Sequence, residues 1–378
     1  MKIGILTFHC AHNYGAMLQT YATQELLRRK GFDAEVIDYR PSYLVDPYKW
    51  FSLSRIRKAD GTFSIIHLFA EIILLPLRYI RYRRFDNFMS NRLILSPEVT
   101  FESFRGDYDV IIVGSDQVWN IRQTGGHLDR MYVADYLFEK GARKYIADAV
   151  SLEQELYGAD DIECMVSALK RFDVISAREK ELAQWLKNLS GLNCTHIPDP
   201  VFQIEPYVWH TIAKDPRIDK PYLLVYSLRD HRKVTSFVEM LARNLGLEVV
   251  EILSSPDAGK LFRGRQTVSV EEFLGLFAHA SFVVTTSFHG TAFSLIFKRL
   301  FYSFVFGDSK DSRVRSLLES LDLTDRMLQL DSDVIDAGTI DYDPVSLKMD
   351  QMRRIASDFL LKSISDVNAS SDSGQEKV

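Results

Sequence analysis

Short apolar runs alternate with longer stretches of helical spacing along most of the chain. "KIGILTF" reads as a buried strand; in "GAMLQTYATQELLRRKG", Met17, Leu18, Tyr21, Leu26 and Leu27 recur near helical spacing until Gly31 stops the helix. The order repeats through "DAEVIDY", "YDVIIVGS", "ARKYIADAV", "FDVISA" with the helix "REKELAQWLKNLSG", and "THIPDP". A second series runs from "PYLLVYSL" and the helix "RKVTSFVEMLARNLG" to "LEVVEIL", the helix "VEEFLGLFAHA", "SFVVTTS", the helix "GTAFSLIFKR" and "LFYSFVF". Strand-then-helix order predicts parallel sheets with helices on both faces. Two such series predict an α/β chain of two Rossmann-like lobes facing each other across a cleft. The N-terminal lobe spans 1–205 and the C-terminal lobe 206–340, with the boundary between 203 and 218. A C-terminal helix over 341–366 and a disordered polar tail over 367–378 complete the expected organisation.

One segment breaks the alternation, an insertion over about 45–100. Within it "IIHLFAEIILLPLRYIRYRRF" is apolar, interrupted by Glu71 and Pro76, and carries Arg78, Arg81, Arg83 and Arg84. It falls short of the about 20 apolar residues that cross a bilayer. Residues 63–85 therefore have two readings. One is a basic amphipathic element lying in a membrane interface with its arginines among anionic headgroups. The other is an insertion helix that packs over one lobe.

Composition adds bounds rather than detail. A chain of 378 residues suits two domains, and 46% hydrophobic with 26% charged residues is globular. A net charge of -5 with both signs interspersed gives no global field for nucleic acid, so any basic site is local. Cys10, Cys164 and Cys194 form no close pair, so reduced thiols, no disulfide frame and no metal site are expected. The apolar run in "MKIGILTFHCAHNYG" is too short for a signal-peptide core. A cytoplasmic protein is expected, in which the sequons at Asn188, Asn193 and Asn368 carry no glycan.

In open parallel sheets ligands bind beyond the carboxyl ends of strands, so the chemistry is sought there. The first strand delivers His9, His12, Asn13, Tyr14 and Gly15 to a helix start, where amides favour a phosphate or carboxylate. An ordinary turn fits these residues equally well. "GSDQVWN" places Ser115, Asp116, Gln117, Trp119 and Asn120 at the next strand end, polar groups for hydroxyls and an indole for a sugar face. Asp116 could accept a proton there, or Asp116 and Ser115 could cap a helix. Arg178 in "ISARE" offers a fork for an anion, or a partner for Glu179. Asp199 between two prolines reads as a rigid connector, with a hinge as the lesser reading. In "TTSFHGTAFS", His289 can give and take a proton near neutral pH, beside Ser287, Gly290 and Thr291, where backbone can approach a ligand. Arg313 and Arg315 open a later helix as a second anion clamp.

Taken in order, "NYGAMLQTYA", "VGSDQVWN", "ISARE", "PDP", "TTSFHGTAFSLIF" and "SRVRSLLESLDL" resemble the polysaccharide pyruvyl transferases, from Met1 to about Arg326. The resemblance implies a GT-B-like architecture and transfer of the enolpyruvyl unit of phosphoenolpyruvate to a sugar of a cell-surface polysaccharide or its lipid-linked precursor. It implies phosphoenolpyruvate as donor substrate and no further cofactor; the expected location is the cytoplasm, at the inner face of the membrane if residues 63–85 lie in its interface. His289 then serves as acid and base, Arg178 and Arg313 with the amides near Gly290 hold the donor, and Asn13, Gln19, Asp116 and Trp119 face the acceptor. Asp148, Ala149 and Val150 depart from the small-residue turn that family members often carry, which points to a different acceptor. The arginines near residue 80 lie outside the motif set. Two rivals stay open: a GT-B glycosyltransferase using a nucleotide sugar, and a non-catalytic scaffold in polysaccharide assembly.

Overall fold

The computed structural model describes residues 1–56, 62–135, 142–153, 157–229, 231–260, 264–332 and 338–372. Strand β1 (Lys2–Leu6) leads into helix α1 (Tyr14–Arg29), and β2 (Asp33–Val36) returns beside it. A short α2 (Ser42–Val45) and a long α3 (Ile65–Arg92) precede β3 (Val110–Asp116) and β4 (Lys144–Val150). Helix α4 (Ala159–Leu169), β5 (Val174–Ala177), α5 (Lys180–Ser190) and β6 (Cys194–His196) complete the first sheet's series. Beyond α6 (Pro206–Ile212) come β7 (Tyr222–Tyr226), α7 (Arg232–Leu245), β8 (Glu248–Ile252), α8 (Val270–His279) and β9 (Phe282–Thr285). The chain ends through α9 (Phe288–Ile296), β10 (Leu300–Val305), α10 (Ser312–Ser320), β11 (Met327–Gln329) and α11 (Tyr342–Asp372).

The strands form two parallel sheets, in the orders β2-β1-β3-β4-β5-β6 and β11-β10-β9-β7-β8. Helices cover both faces, so inner strands such as "VIIVGSD" of β3 read as continuous apolar runs, buried from Val110 through Ser115. In each sheet the first strand has neighbours on both sides, and the chain switches direction there. Crevices therefore open at β1/β3 and β7/β9, where this topology places ligands. The α/β, two-sheet architecture expected from the alternation is the one observed.

The lobes share a core. Tyr14 stacks on Phe273 with ring centroids 4.4 Å apart, and its hydroxyl donates to Val268 O at 2.8 Å. Trp209 lies between Tyr21 and Phe293, at 5.8 and 5.2 Å. Helix α11 crosses back to the first lobe, where Ala356 packs on Ala149 and Ile197. It runs through Asp372, so residues 367–372 continue a helix where a disordered tail was expected. Residues 373–378 lie outside the described residues.

The insertion differs from the membrane reading in one respect. Arg78 pairs with Glu71, Arg81 donates to Tyr14 Oη and Ser254 O at 2.9 and 2.8 Å, and Arg84 donates to Glu272. These arginines tie α3 to its own fold and to the second lobe, so they are not a row of headgroup contacts. No helix among the described residues is long and apolar enough to cross a membrane.

Candidate active site

Strand β9 ends at Thr285, and Ser287 caps α9 by accepting from the Gly290 amide at 3.5 Å. His289 is thereby fixed in the first turn of α9, aimed at the other lobe. There it lies against the first turn of α1, which Asn13 caps by accepting from the Gly15 amide at 2.8 Å. A Cβ on Gly15 would come within 2.2 Å of His289 Nδ1, so this glycine is what lets the imidazole seat. Gly290 has another reason. Its Cβ would lie 2.1 Å from Thr285 Oγ1, so it permits close helix-on-strand packing, and its amide already serves Ser287. The expectation of ligand approach at Gly290 is corrected accordingly.

Behind His289 lies a buried polar cluster centred on Asp199. Asp199 Oδ2 accepts from Arg178 Nη1 at 2.5 Å and Gln19 Nε2 at 2.5 Å, and stands 3.6 Å from His289 Nε2. Its other oxygen accepts from the Val201 amide at 3.0 Å. Burial alone would raise the Asp199 carboxyl, but Arg178 and His289 hold it below the usual carboxylate range. Asp199 therefore does more than stiffen a connector. Arg178 pairs with it rather than with Glu179, whose Oε1 accepts from Ser151 Oγ at 2.7 Å. Arg178 Nη2 also lies 4.0 Å from Asp116 Oδ1.

Beside the pair, Asp148 is fully buried, and burial pushes its carboxyl up to about 7; Gln203 opposes the shift and Asp199 adds to it. Arg313 lines the same cavity as Arg178, His196, Asp199 and Phe288, of about 110 Å³. Burial and then the neighbouring Arg178 charge depress the Arg313 guanidinium, while Glu179, Asp116 and Asp199 oppose the shift. Among the described residues, Gln19 Oε1, Asp148 Oδ1, Arg178 Nε and Nη2, Glu179 Oε2, Gln203 Oε1 and His289 Nε2 are buried without a hydrogen-bond partner. Native folds leave few such atoms, so this concentration sets the cluster apart as the candidate site.

Other expected site residues serve the fold. Trp119 is fully buried, donates from Nε1 to Tyr132 O at 2.8 Å and packs edge-on against Phe172, so no indole face is offered to a sugar. Asn120 is equally buried and donates to Gln117 Oε1 and Glu153 Oε1, both at 3.2 Å. Ser115 donates to Ala149 O at 3.1 Å, and Thr291 donates to Ser287 O at 3.1 Å. Tyr14 belongs to the inter-lobe core, and Gln19 reaches Asp199 instead of an acceptor. His9 is buried against Asp38 at 2.9 Å. Asp116 remains at the crevice, partly exposed, with φ at 78° and its carboxylate accepting from the Gln117 amide at 2.8 Å. A non-glycine residue in this left-handed region is strained, a feature that gathers at functional sites.

Asp148, Gln203 and Glu179 escape sequence reasoning as site residues. Asp148 carried a usable signal, a carboxylate inside the otherwise apolar strand "KYIADAV". No group of three or more potential metal ligands occurs among the described residues.

The UDP-GlcNAc 2-epimerase of Neisseria meningitidis, solved with UDP-GlcNAc, matches 97% of this chain and 100% of its own, at 8% identity and a TM-score of 0.52. The 2-epimerase of Methanocaldococcus jannaschii covers 93% of each chain at 10% identity and a TM-score of 0.44. A spinosyn rhamnosyltransferase complexed with thymidine diphosphate covers 97% and 96% at 10% identity and a TM-score of 0.39. At such identities the first of these shows the fold alone, a GT-B-like pair of lobes. No curated protein gives a significant match. The family model for polysaccharide pyruvyl transferase matches residues 13–305, from the cap of α1 to the end of β10. The chain belongs to the polysaccharide pyruvyl transferase family, and it is a transferase.

Proposed function

We propose that this chain transfers the enolpyruvyl unit of phosphoenolpyruvate to a sugar, closing a pyruvate ketal on a polysaccharide or its lipid-linked precursor. Beyond family membership, the supporting observation is the buried cluster that sets His289 3.6 Å from Asp199 beside Arg178 and Arg313. Phosphoenolpyruvate carries a phosphate and a carboxylate. A planar fork binds either, and the free Nε and Nη2 edge of Arg178 is available while Asp199 occupies Nη1. An anion between Arg178 and Arg313 would relieve their mutual repulsion.

In the proposed sequence His289 gives a proton to the methylene carbon, and C2 becomes electrophilic. One sugar hydroxyl attacks C2, its proton passes to the departing phosphate as the C2–O bond breaks, and inorganic phosphate is released. The second hydroxyl then attacks C2 to close the ring, and its proton returns to the system through His289. A group with pKa near the operating pH suits both transfers. Asp199 holds the imidazole and stabilises its cationic form. Asp116 and Asn13 at the opposite crevice face the acceptor.

The test is phosphate release from phosphoenolpyruvate with a sugar acceptor. His289→Gln is expected to slow it about 10²- to 10⁴-fold. Release within about threefold of the parent would remove His289 as acid and base. Thermal stabilisation by a nucleotide sugar with none by phosphoenolpyruvate would favour the glycosyltransferase reading instead.

A further inference from the structure

Most of the large apolar side chains exposed among the described residues lie between Trp50 and Ile80. On α3 they recur every seven residues: Ile65, Ile72 and Tyr79 form one row and Ile66, Ile73 and Ile80 the next, with Phe69 and the exposed Pro76 beside them. At about 100° per residue these positions share one arc of roughly 140°. A repeat of this period is what keeps one helix seated against another, whereas contact with a lipid surface needs no such register. Glu71, Leu74 and Phe85 hold the opposite face against the protein, so α3 carries a second seam that is turned outward.

The isoleucines, Phe69 and Tyr79 of this seam, with Trp50, Phe51, Leu53 and Phe63, are 42% to 76% exposed. At roughly 100 Å² each they offer about 1,000 Å² of apolar surface, more than the about 300–600 Å² of a typical monomer's largest patch. A stable dimer takes about 800 Å² from each partner, so the area is that of one interface. Trp50 meets Tyr79 edge-on at 5.9 Å, two residue types that anchor protein interfaces. A helix that binds lipid carries lysines and arginines on its polar face, free to reach anionic headgroups. Here Arg55 and Arg78 pair with Glu71, Arg81 donates to Tyr14 and Ser254, and Arg84 to Glu272, all toward the protein. The outward seam ends at the exposed Arg83.

We infer that this seam is the interface of a homodimer, in which α3 pairs antiparallel with its own copy across a two-fold axis at Ile73. Across such an axis residue i meets j and j meets i. Ile66 then meets the partner's Ile80, Phe69 reaches the partner's Pro76, and Arg83 lies over the partner's Phe63. A broad ring opposite a short one is the interdigitation that a helix pair needs. A parallel pair would instead set Arg83 against Arg83 and leave the two prolines facing each other. Trp50 and Phe51, beside Tyr79, widen the seam.

Sedimentation equilibrium of the full chain at micromolar concentrations is expected to give twice the chain mass. Ile66→Asp with Phe69→Asp places charge in the seam and is expected to raise the dimer dissociation constant about 100-fold or more. The arrangement is read separately by cross-linking, one cysteine at a time, in a chain with Cys164→Ser, which removes an exposed native thiol. Ile73→Cys is expected to oxidise to a disulfide-linked pair, because the axis brings this position to its own copy. Ile66→Cys would lie about 20 Å from its copy along the helices, too far for a disulfide, and is expected to link only when mixed with Ile80→Cys chains. Self-linking of Ile66→Cys overturns the antiparallel pairing. A chain that stays a monomer, or a dimer indifferent to the two aspartates with no Ile73→Cys link, overturns the interface. A monomer that floats with phosphatidylcholine vesicles, and ceases to in the aspartate variant, overturns it in favour of lipid.

Discussion

The loop after β3 and the cluster behind His289 look alike in residue type and differ in what their atoms lack. In "SDQVWN" nearly every polar atom finds a protein partner: Trp119 to Tyr132, Asn120 to Gln117 and Glu153, Ser115 to Ala149. Around Asp199 the polar atoms are at least as deeply buried, yet seven are without a partner among the described residues. A crowd of hydrogen-bonding residues is therefore no sign of a site by itself. Buried atoms held in place without partners are the better sign, because desolvating them costs about 1–3 kcal/mol each unless something else satisfies them.

Substitutions in the two regions should separate accordingly. The largest effect is expected at Asp148, whose carboxyl moves from 3.8 to about 7 on folding. The folded state holds a proton there that the unfolded chain has lost, so stability is full below about pH 4 and falls as pH rises toward about 7. Asp148→Asn is expected to remove that contribution, worth on the order of a few kcal/mol at neutral pH, in urea melts taken from pH 4 to 8, whereas the opposite contribution of His12, lowered to about 4 by burial, is the same in parent and variant. Asp199, held low, titrates below this window and leaves it undisturbed. A slope unchanged in the variant would show that Asp148 is not the group responsible.

Next in size is Gly15→Ala. The added methyl would stand 2.2 Å from the His289 ring and must displace it. Turnover is expected to fall about 10²-fold through misplacement of the proposed acid and base, with thermal stability nearly unchanged. Turnover within about threefold would mean that the imidazole position does not matter to the reaction.

Trp119→Phe should do the reverse. It removes the bond to Tyr132 O and is expected to cost about 1–3 kcal/mol of stability, while turnover of the folded enzyme stays within about threefold. A large rise in KM for the acceptor would restore Trp119 to the site. Smallest is Ser287→Ala, the loss of one helix cap at about 1 kcal/mol, read in the same melts.

The architecture was legible because period and order carry it: apolar runs of strand length followed by helical spacing leave little choice for a chain of this size. His289 and Arg178 were legible as candidates because motif and strand end coincide, and the structure brings both to Asp199. Trp119 was misjudged because an indole in a polar loop looks the same in sequence whether it faces a sugar or Phe172. Asp148, Gln203 and the second role of Asp199 were hidden because they meet only when β4, β5 and the connector after β6 come together. The direction faced by α3 was hidden for the same reason. Its inward face carries Glu71 and Arg81 together with Leu74, Phe85, Phe88 and Met89, and Tyr14, Ser254 and Glu272 receive the arginines on that side.

The central claim is that the buried cluster delivers a proton to the methylene carbon of phosphoenolpyruvate. Run in D₂O with a sugar acceptor, the reaction should yield a ketal whose methyl group carries one solvent deuterium by mass spectrometry, at a rate that collapses in His289→Gln. A ketal methyl without deuterium, or labelling at full rate in that variant, would contradict it.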